Sequence, residues 1–301
     1  MKTFRKIQFT LLLALMVFAG STFAQERGQY LPGLRGLNTA EQPGEGFTYV
    51  NIFTYYPTGT VKDRNGNTIP GDFDLDIVAD TSLLFYTPKK KIFGATYSAS
   101  VAIPFLNTAV TIPRIDASGS GGGIGDIYVE PLSLGWAFKK GKARVAYGFT
   151  APTGVDATTS DYFGHQFTVG GTYNPGKTGL WQINASSVWE AHHRKQNSDL
   201  KVGNNVTFEY GVGKTWVKNQ GKQLLQFGVV GYSEFQLTND SGTAVAPINP
   251  GGKDQVHAIG PEFGVILPPK KFNFFIRVLP EYAARSRTRG TTLMIGFGKT
   301  F

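Results

Sequence analysis

The chain has 301 residues, a formal net charge of +9, no cysteine, and an abundance of Gly (38), Phe (23) and Tyr (13). The lack of cysteine excludes a disulfide scaffold and thiolate metal sites. Hydrophobic residues make up only 41 % of the chain, which excludes a helical membrane protein but suits a membrane β-barrel rich in glycine and aromatic residues. The mild, scattered positive charge argues against nucleic-acid binding.

Residues 1–24 have the pattern of a secretory signal peptide. A basic start is followed by an apolar core over residues 9–19 and by a small-x-small cleavage site that ends at Ala24. The core is too short to cross a bilayer as a helix, and no run of about eighteen apolar residues follows it. The remaining chain is therefore expected to be secreted.

Residues 25–46 are polar and contain the turn-forming pairs Pro32–Gly33 and Pro43–Gly44. This composition predicts an irregular lead-in segment. Either a periplasmic position or a position inside a barrel lumen is compatible with the sequence.

Twelve strand-like segments follow, and together they predict a barrel domain over residues 47–301. Each has about the ten residues that a tilted strand needs to cross the hydrocarbon. Their approximate bounds are 46–56, 72–87, 91–104, 126–138, 142–151, 162–174, 179–192, 204–218, 222–237, 255–268, 271–284 and 288–301.

The connections between these segments alternate in length. Short turns such as 139–141 follow the even-numbered segments, and mostly long loops such as 105–125 follow the odd-numbered ones. This alternation is typical of outer-membrane barrels. It predicts an all-β, transmembrane, antiparallel up-and-down barrel of about 12 strands, located in the outer membrane with both termini in the periplasm.

The last segment supports this prediction. Leu293, Ile295, Phe297 and the terminal Phe301 share one parity, whereas small or polar residues occupy the other. A terminal aromatic residue is typical of outer-membrane barrels, in which it serves as a signal for the barrel-assembly machinery. The closing strand of a secreted β-sandwich is the alternative.

Parity also predicts which side chains face lipid and which face the lumen. Apolar sets are expected outside, because the opposite arrangement places carboxylates in hydrocarbon. The first strand cannot be oriented in this way. The polar residues predicted to face the lumen are Asp74, Asp76, Asp80, Asp126, Glu130, Arg144, Glu190, Glu209, Glu234, Glu262, Arg277 and Glu281. Two roles remain open for them, a polar pathway wall and ion pairs that fill a narrow barrel.

A glycine-rich motif in the middle of the chain contains Gly125, Asp126, Pro131, Gly135 and Trp136. No Gly-Lys-Ser/Thr follows the glycines, which excludes a phosphate-binding loop. Apolar parity changes at Pro131, which has no amide hydrogen for a sheet ladder. The change predicts a β-bulge at that residue.

Several motifs resemble the family of outer-membrane channels named for the meta-pathway of phenol degradation. In chain order they are Tyr30 to Gly33 with Pro43 and Gly44, the central motif with Leu134, Ala151 to Gly154, Tyr210 to Gly213, Gly231 and Tyr232, Gln236 with Thr238 to Gly242, and Ala258 to Pro261. The resemblance spans nearly the whole mature chain. Asn239 departs from it, because the family often has an acidic residue there.

The resemblance implies an outer-membrane channel or transporter for small hydrophobic or aromatic molecules. The expected partners are outer-membrane lipid and lipopolysaccharide, the barrel-assembly machinery through Phe301, and a small hydrophobic solute, with no nucleic acid. The expected state is a monomer. The alternative is a barrel with a closed lumen and an envelope-structural or surface-interaction role.

The loop predicted at 105–125 combines apolar residues with a run of glycines. Phe105, Leu106, Ile112 and Ile115 are candidates for ligand contact at the extracellular mouth, and the glycines could act as a hinge. Packing of these apolar residues on neighbouring loops is the alternative.

The sequence predicts no enzyme, no cofactor and no metal site. His165 and His257 share the apolar parity and are expected to be interfacial rings rather than ligands. His192 and His193 begin a loop, where a metal site is the alternative to a purely structural role. No histidine lies beside a serine nucleophile as outer-membrane lipases require.

Overall fold

The computed structural model describes residues 28–71, 73–113, 116–244 and 252–301. The predicted signal peptide lies outside these residues. Within them, none of the helices is long and apolar enough to cross a membrane. The helices found there are short 3-10 turns at Gly36–Asn38, Asn219–Gly221 and Pro268–Lys270.

Fourteen β-strands occupy most of the described residues. In chain order they are β1 (Gly46–Thr58), β2 (Asp74–Thr87), β3 (Lys91–Ile92), β4 (Ala95–Ile112), β5 (Ala117–Ile124), β6 (Ile127–Phe138), β7 (Gly141–Ala151), β8 (Gly164–Tyr173), β9 (Trp181–His192), β10 (Asn205–Lys218), β11 (Gln223–Gln236), β12 (Gln255–Leu267), β13 (Phe272–Arg285) and β14 (Thr291–Thr300).

Twelve of these strands form a closed antiparallel barrel. Their order around the wall is β1, β2, β4 and then β6 to β14, each paired with its neighbour. The last strand returns to the first, with Thr48 opposite Thr300 and Tyr55 opposite Leu293. Closure leaves no free edge between the first and last strands, and it confirms the predicted twelve-stranded fold.

The strand bounds agree with the prediction to within about three residues, except for β4, which begins four residues later and ends eight residues later than predicted. That strand continues to Ile112 and pairs back with β5, so a β-hairpin replaces the expected irregular loop. Thr108, Val110, Thr111 and Ile112 are β-branched and favour an extended backbone. The glycines between 119 and 123 lie in β5 and do not form a hinge loop.

The two ends of the barrel differ as the loop lengths predicted. At one end, connections such as Lys139–Lys140 are short, and this is called the short-turn end below. At the other end, connections such as residues 193–204 are long, and this is called the long-loop end.

Residues 28–45 precede β1 and lie inside the barrel; they are called the lumenal segment below. Its 3-10 turn packs on the inner faces of β9, β10 and β11. Leu37, at the centre of that turn, is 1 % exposed. It belongs to a buried apolar cluster with Val230, Tyr232, Val256, Ala258, Leu279 and Ala284. A substantial part of the core is therefore inside the barrel and involves a segment that is not part of its wall.

Candidate functional site

The lumenal segment crosses much of the barrel interior. Near the long-loop end, the Gln29 side chain donates to the Ser160 hydroxyl at 2.6 Å and to the carbonyl of Tyr162 at 2.9 Å. Near the short-turn end, Gln42 donates to the Ser133 hydroxyl at 3.0 Å and accepts a hydrogen bond from Ser98 at 2.8 Å. The segment is thus fixed at both ends.

Glu209 on β10 is the main anchor of the segment. Its carboxylate accepts hydrogen bonds from the Tyr30 hydroxyl at 2.5 Å, from the amides of Gly33 and Arg35 at 2.9 Å each, and from the amide of Gly36 at 3.4 Å. Gly33 and Gly36 have positive φ angles of 86° and 53°. This backbone turns successive amides toward one point, as in an anion-binding nest. Each bond to the carboxylate is worth about 1.5–3 kcal/mol.

Two further carboxylates hold the segment on either side of Glu209. Glu190 accepts from the amides of Gln29 and Tyr30, at 2.8 Å each. Glu262 accepts from the Leu37 amide at 3.1 Å. All three carboxylates are buried. Backbone amides of the segment thus take the place of water as hydrogen-bond donors to these carboxylates.

Arg277 on β13 connects the segment to the same network. Its Nε atom donates to Glu262 at 2.7 Å, and its Nη1 atom contacts the carbonyl of Gly33. Only 2 % of the arginine is exposed. A buried pair of this kind is sensitive to the loss of one partner, because the other is left as an uncompensated charge.

Two other inward carboxylates form ion pairs with arginines. Glu130 forms an ion pair with Arg144, which also donates to the Ser133 hydroxyl at 2.8 Å. Glu234 pairs with Arg287 at 2.8 Å. Burial disfavours the charge of this arginine, but the nearby carboxylates of Glu234, Glu281 and Asp254 together outweigh that effect and raise the pKa of Arg287 further.

Glu281 and Asp126 bind neutral donors. Glu281 accepts from the hydroxyls of Tyr56 and Tyr232 at 2.9 Å and from the Gly290 amide at 2.6 Å. Asp126 accepts from the Gly154 amide at 3.0 Å and the Ser160 amide at 2.8 Å, which holds the β7–β8 loop over the barrel.

A cavity of about 830 Å³ occupies the other side of the lumen, between the segment and strands β1, β2 and β4. It extends from Asp126 and Ser160 near the long-loop end to Lys271 and Thr300 near the short-turn end. The side chains that β1, β2 and β4 direct into it are largely apolar: Val50, Ile52, Ile77, Ala79, Leu83, Phe85, Ala102, Pro104 and Leu106. The opposite side is mixed, with Tyr30, Leu31, Leu34 and Arg35 of the segment and with Glu130 and Arg144 of the wall.

The apolar cavity reverses the orientation predicted for β2. Because Ile77, Ala79 and Leu83 face inward, Asp74, Asp76 and Asp80 lie on the outer face rather than in the lumen, and this prediction was wrong. On that face the side-chain amide of Asn51 donates to Asp80 at 2.6 Å, and the Tyr55 hydroxyl donates to Asp76 at 2.7 Å. Polar side chains of β1 thus partner the carboxylates outside. The rule that apolar side chains face lipid fails where the interior is itself apolar.

The candidate ligand contacts in the expected loop also divide between the two faces. Leu106 lines the cavity, whereas Phe105 points outward and is 51 % exposed. Ile112 ends β4, at the tip of the hairpin. Ile115 lies outside the described residues.

The central motif has the local structure that its parity predicted. Between Val129 and Leu132, β6 has one residue more than β7 opposite it, which is the β-bulge at Pro131. Tyr97 stabilises the bulge by donating to the Pro131 carbonyl at 2.8 Å. Gly135 leaves room for Gln42 of the lumenal segment, whose Cγ would lie 2.3 Å from an added Cβ.

The ends of the motif bind the neighbouring strands and turns. The Gly125 amide donates to the Pro104 carbonyl at 2.8 Å, and the Trp136 ring nitrogen donates to the Phe93 carbonyl at 3.2 Å. Because Asp126 holds the β7–β8 loop, the motif connects the hairpin, the loop and the cavity.

Sequence reasoning missed the apolar inward residues and the anchoring role of the carboxylates. Period-two alternation identifies two faces of a strand, but it does not say which one meets the lumen. A signal for the segment was present in Gly33 and Gly36, because glycine readily adopts the positive φ angles that both residues have. Its partner Glu209 is more than 170 positions away, and no local pattern connects the two.

Comparisons with known proteins agree with this architecture. The protein-family model described as "Putative MetA-pathway of phenol degradation" matches residues 58–297. A search of curated protein sequences gives no significant match.

Among solved structures, the COG4313 outer membrane channel from Pseudomonas putida F1 has a TM-score of 0.70 at 14 % identity, covering 91 % of this chain and all of the other. The beta domain of the Bordetella autotransporter Brka has a TM-score of 0.55 at 13 % identity, over 86 % of this chain and all of the other. The transport unit of the autotransporter AIDA-I from Escherichia coli has 0.51 at 11 %, over 94 % and 97 %. At these identities the likenesses show a shared fold.

Proposed function

The chain belongs to the MetA-pathway phenol-degradation family, whose model covers about four fifths of it, and we propose that it is an outer-membrane channel for small hydrophobic or aromatic molecules. The observation that carries this proposal is the apolar cavity beside the lumenal segment. A polar solute gains nothing from such a wall, whereas an apolar solute loses unfavourable contact with water there.

The dimensions of the cavity support this substrate class. A cavity of about 150 Å³ lined by apolar side chains is enough to bind benzene. The lumen here offers about 830 Å³ along the height of the barrel. A small aromatic molecule therefore fits with room to move, as passage requires.

The charges of the lumen support the same conclusion. The carboxylates of Glu190, Glu209 and Glu262 are engaged by the segment, and Glu130 by Arg144. Engaged charges do not demand the hydration that would fill the interior with a continuous water column. An apolar solute thus passes beside carboxylates that already have protein partners.

Uptake by cells tests the proposed function. Cells with the intact protein are expected to take up a labelled small aromatic compound faster than cells without the barrel. Ala102→Trp fills the cavity from β4 and is expected to slow uptake several-fold. Val101→Trp adds the same side chain to the outer face one residue away and serves as the matched control.

Equal amounts of each variant in the outer membrane are confirmed first. Uptake by the intact protein no faster than by barrel-free cells contradicts the channel. Equal uptake by the Ala102→Trp and Val101→Trp variants contradicts the cavity as the pathway.

We propose that the short-turn end faces the periplasm, since short periplasmic turns and long extracellular loops are the rule in outer-membrane barrels. An epitope inserted at Ser198, in the β9–β10 loop, is then accessible on intact cells, whereas one at Gly176, in the β8–β9 turn, is not. The opposite accessibility reverses the barrel.

We also propose that the protein works as a monomer in contact with lipid and lipopolysaccharide, and that the barrel-assembly machinery recognises Phe301. This ring is 69 % exposed at the end of the chain. Phe301→Ser is expected to lower the amount of folded barrel in the outer membrane without changing its synthesis. An unchanged amount contradicts the role of the ring in assembly.

A further inference from the structure

Two histidines meet on the outer wall at the long-loop end of the barrel. His165 lies on β8, and His193 directly follows β9. The His193 amide donates to the Phe163 carbonyl at 2.9 Å, which extends the strand pairing by one residue beyond β9. The two side chains therefore share a face, and their Nε2 atoms are 3.2 Å apart.

His192, which precedes His193 in the chain, belongs to a different environment. It is buried in the barrel, where its Nδ1 atom is 2.8 Å from the Gly203 carbonyl and its ring packs on Tyr162. Side chains alternate between the faces of a strand. The neighbours in sequence are thus separated by the wall, and the pair in space is His165 with His193.

The separation of the two nitrogens suits a shared metal ion. With zinc–nitrogen bonds of about 2.0–2.1 Å, nitrogens this far apart subtend about 103° at the metal, close to the tetrahedral angle. We propose that His165 and His193 together bind one divalent transition-metal ion of the zinc, copper and nickel class, for which imidazole is a preferred ligand. No such site follows from the proposed transport function.

The surroundings of His165 orient its ring for this role. Its Nδ1 atom is 2.9 Å from the Tyr147 hydroxyl. A proton on Nδ1, donated to that hydroxyl, leaves the lone pair of Nε2 free for a metal. Metal-binding histidines commonly use their second nitrogen in this way. Tyr147 is therefore a positioning residue for the site.

Aromatic packing holds both rings in place. The Phe163 ring contacts His165 and His193 edge-on, with centroid separations of 5.1 and 5.6 Å. Tyr147 stacks on His165 at 6.0 Å. Rings fixed before the metal arrives lose less conformational freedom when they bind it.

His165 and His193 border a shallow pocket that Arg194, Lys201 and Asn204 also line. Among the described residues, no cluster of three or more His, Cys, Asp or Glu side chains with metal-binding geometry occurs. Two coordination positions on the metal are therefore left for water or for an external anion. The neighbouring side chains of Arg194 and Lys201 are positively charged and attract an anion.

Copper binding to the purified full-length protein tests the inference. The protein carries no polyhistidine tag, and Cu²⁺ supplied as its iminodiacetate complex is the probe. The expected result is one copper per chain, with a pulsed electron paramagnetic resonance spectrum of two coordinated imidazoles. Zn²⁺ is expected to compete for the same site.

Single substitutions distinguish one copper ion bound by both histidines from copper ions bound at separate sites. His165→Ala and His193→Ala are each expected to weaken copper binding by about 100-fold, because either change removes the effective concentration of the second imidazole. His257→Ala is the matched control. That histidine is also on the outer wall, but its Nδ1 atom is paired with the Ser233 hydroxyl at 2.9 Å, and its loss is expected to change nothing.

Tyr147→Phe keeps the stacked ring and removes the hydroxyl. It is expected to weaken copper binding about tenfold, with both imidazoles still coordinated and the unfolding midpoint unchanged. Binding that survives either alanine substitution at full strength, a spectrum of one imidazole, or half a copper per chain overturns the inference.

Discussion

Two walls of the barrel differ in the side chains that they direct into the lumen. Strands β9 to β13, called the anchoring wall, direct carboxylates inward and bind the backbone of the lumenal segment with them. Strands β1, β2 and β4, called the cavity wall, direct apolar side chains inward and carry Asp76 and Asp80 outside. The inner face of the barrel is thus polar where it contacts the backbone of the lumenal segment and apolar where it borders the cavity.

The difference between the two walls also explains how the lumenal segment fills one side of the barrel while the other side stays open to a solute. The backbone amides of the segment bind carboxylates on the first side, and the apolar side contains the cavity. The central part of the segment is held by carboxylates of the anchoring wall, which accept hydrogen bonds from its backbone amides. A substitution is therefore expected to act very differently on the two walls.

The largest effect is expected at the anchoring wall from Arg277→Met. The change leaves Glu262 buried without its cation and removes a bond to Gly33. The free energy of unfolding, measured by guanidinium titration, is expected to fall by about 3–5 kcal/mol. Arg285→Met removes the same charge from an exposed position of β13 and serves as the control.

A second variant tests the reason for that loss. Adding Glu262→Leu to Arg277→Met removes the stranded charge and is expected to recover part of the stability. No recovery in the double variant would show that burial of an unpaired carboxylate is not the cause.

A smaller difference in stability is expected when a bulky side chain is added to the anchoring wall and to the cavity wall. Val230 is 2 % exposed and touches the cluster around Leu37, whereas Ile77 faces the cavity. Val230→Trp is expected to cost about 1–3 kcal/mol through overpacking. Ile77→Trp has space to enter and is expected to cost less than half as much. Equal losses in guanidinium titrations would contradict the open cavity.

The smallest effect is expected on the outside of the cavity wall. Asp80→Asn removes a charge from the outer face and is expected to stabilise the barrel in lipid vesicles by about 1 kcal/mol. Asp156→Asn, in the exposed β7–β8 loop, is the control and is expected to change nothing. A loss of stability in the Asp80 variant would favour the lumenal position that parity first predicted.

Much of this fold was predictable from local sequence patterns. Period-two alternation located the strands, and loop lengths gave their order and the two ends. The bulge at Pro131 followed from one change of parity. These features depend on residues close together in the chain, so a single sequence contains them.

The two walls were less predictable because they depend on distant partners. The inward polarity of β11 and β13 was visible, but the reason for it lies in the segment near residue 33. For β2, the outward carboxylates are satisfied by Asn51 and Tyr55 of the one strand that parity could not orient. A rule that turns the apolar face of every strand toward lipid cannot predict a strand whose apolar face lines the barrel interior.

The central claim is that solute passes along the cavity wall while the lumenal segment stays in place. Its most direct test is uptake of a labelled small aromatic compound by the Thr39→Cys/Gly170→Cys variant. Thr39 Cγ2 lies 3.1 Å from a Cβ built on Gly170, which suits a disulfide between the segment and β8, and the chain has no other cysteine. Thr39→Cys alone is the control. The claim predicts equal uptake with the disulfide formed or reduced. Uptake that is blocked by the disulfide and restored by its reduction would contradict the claim and show that the segment must move.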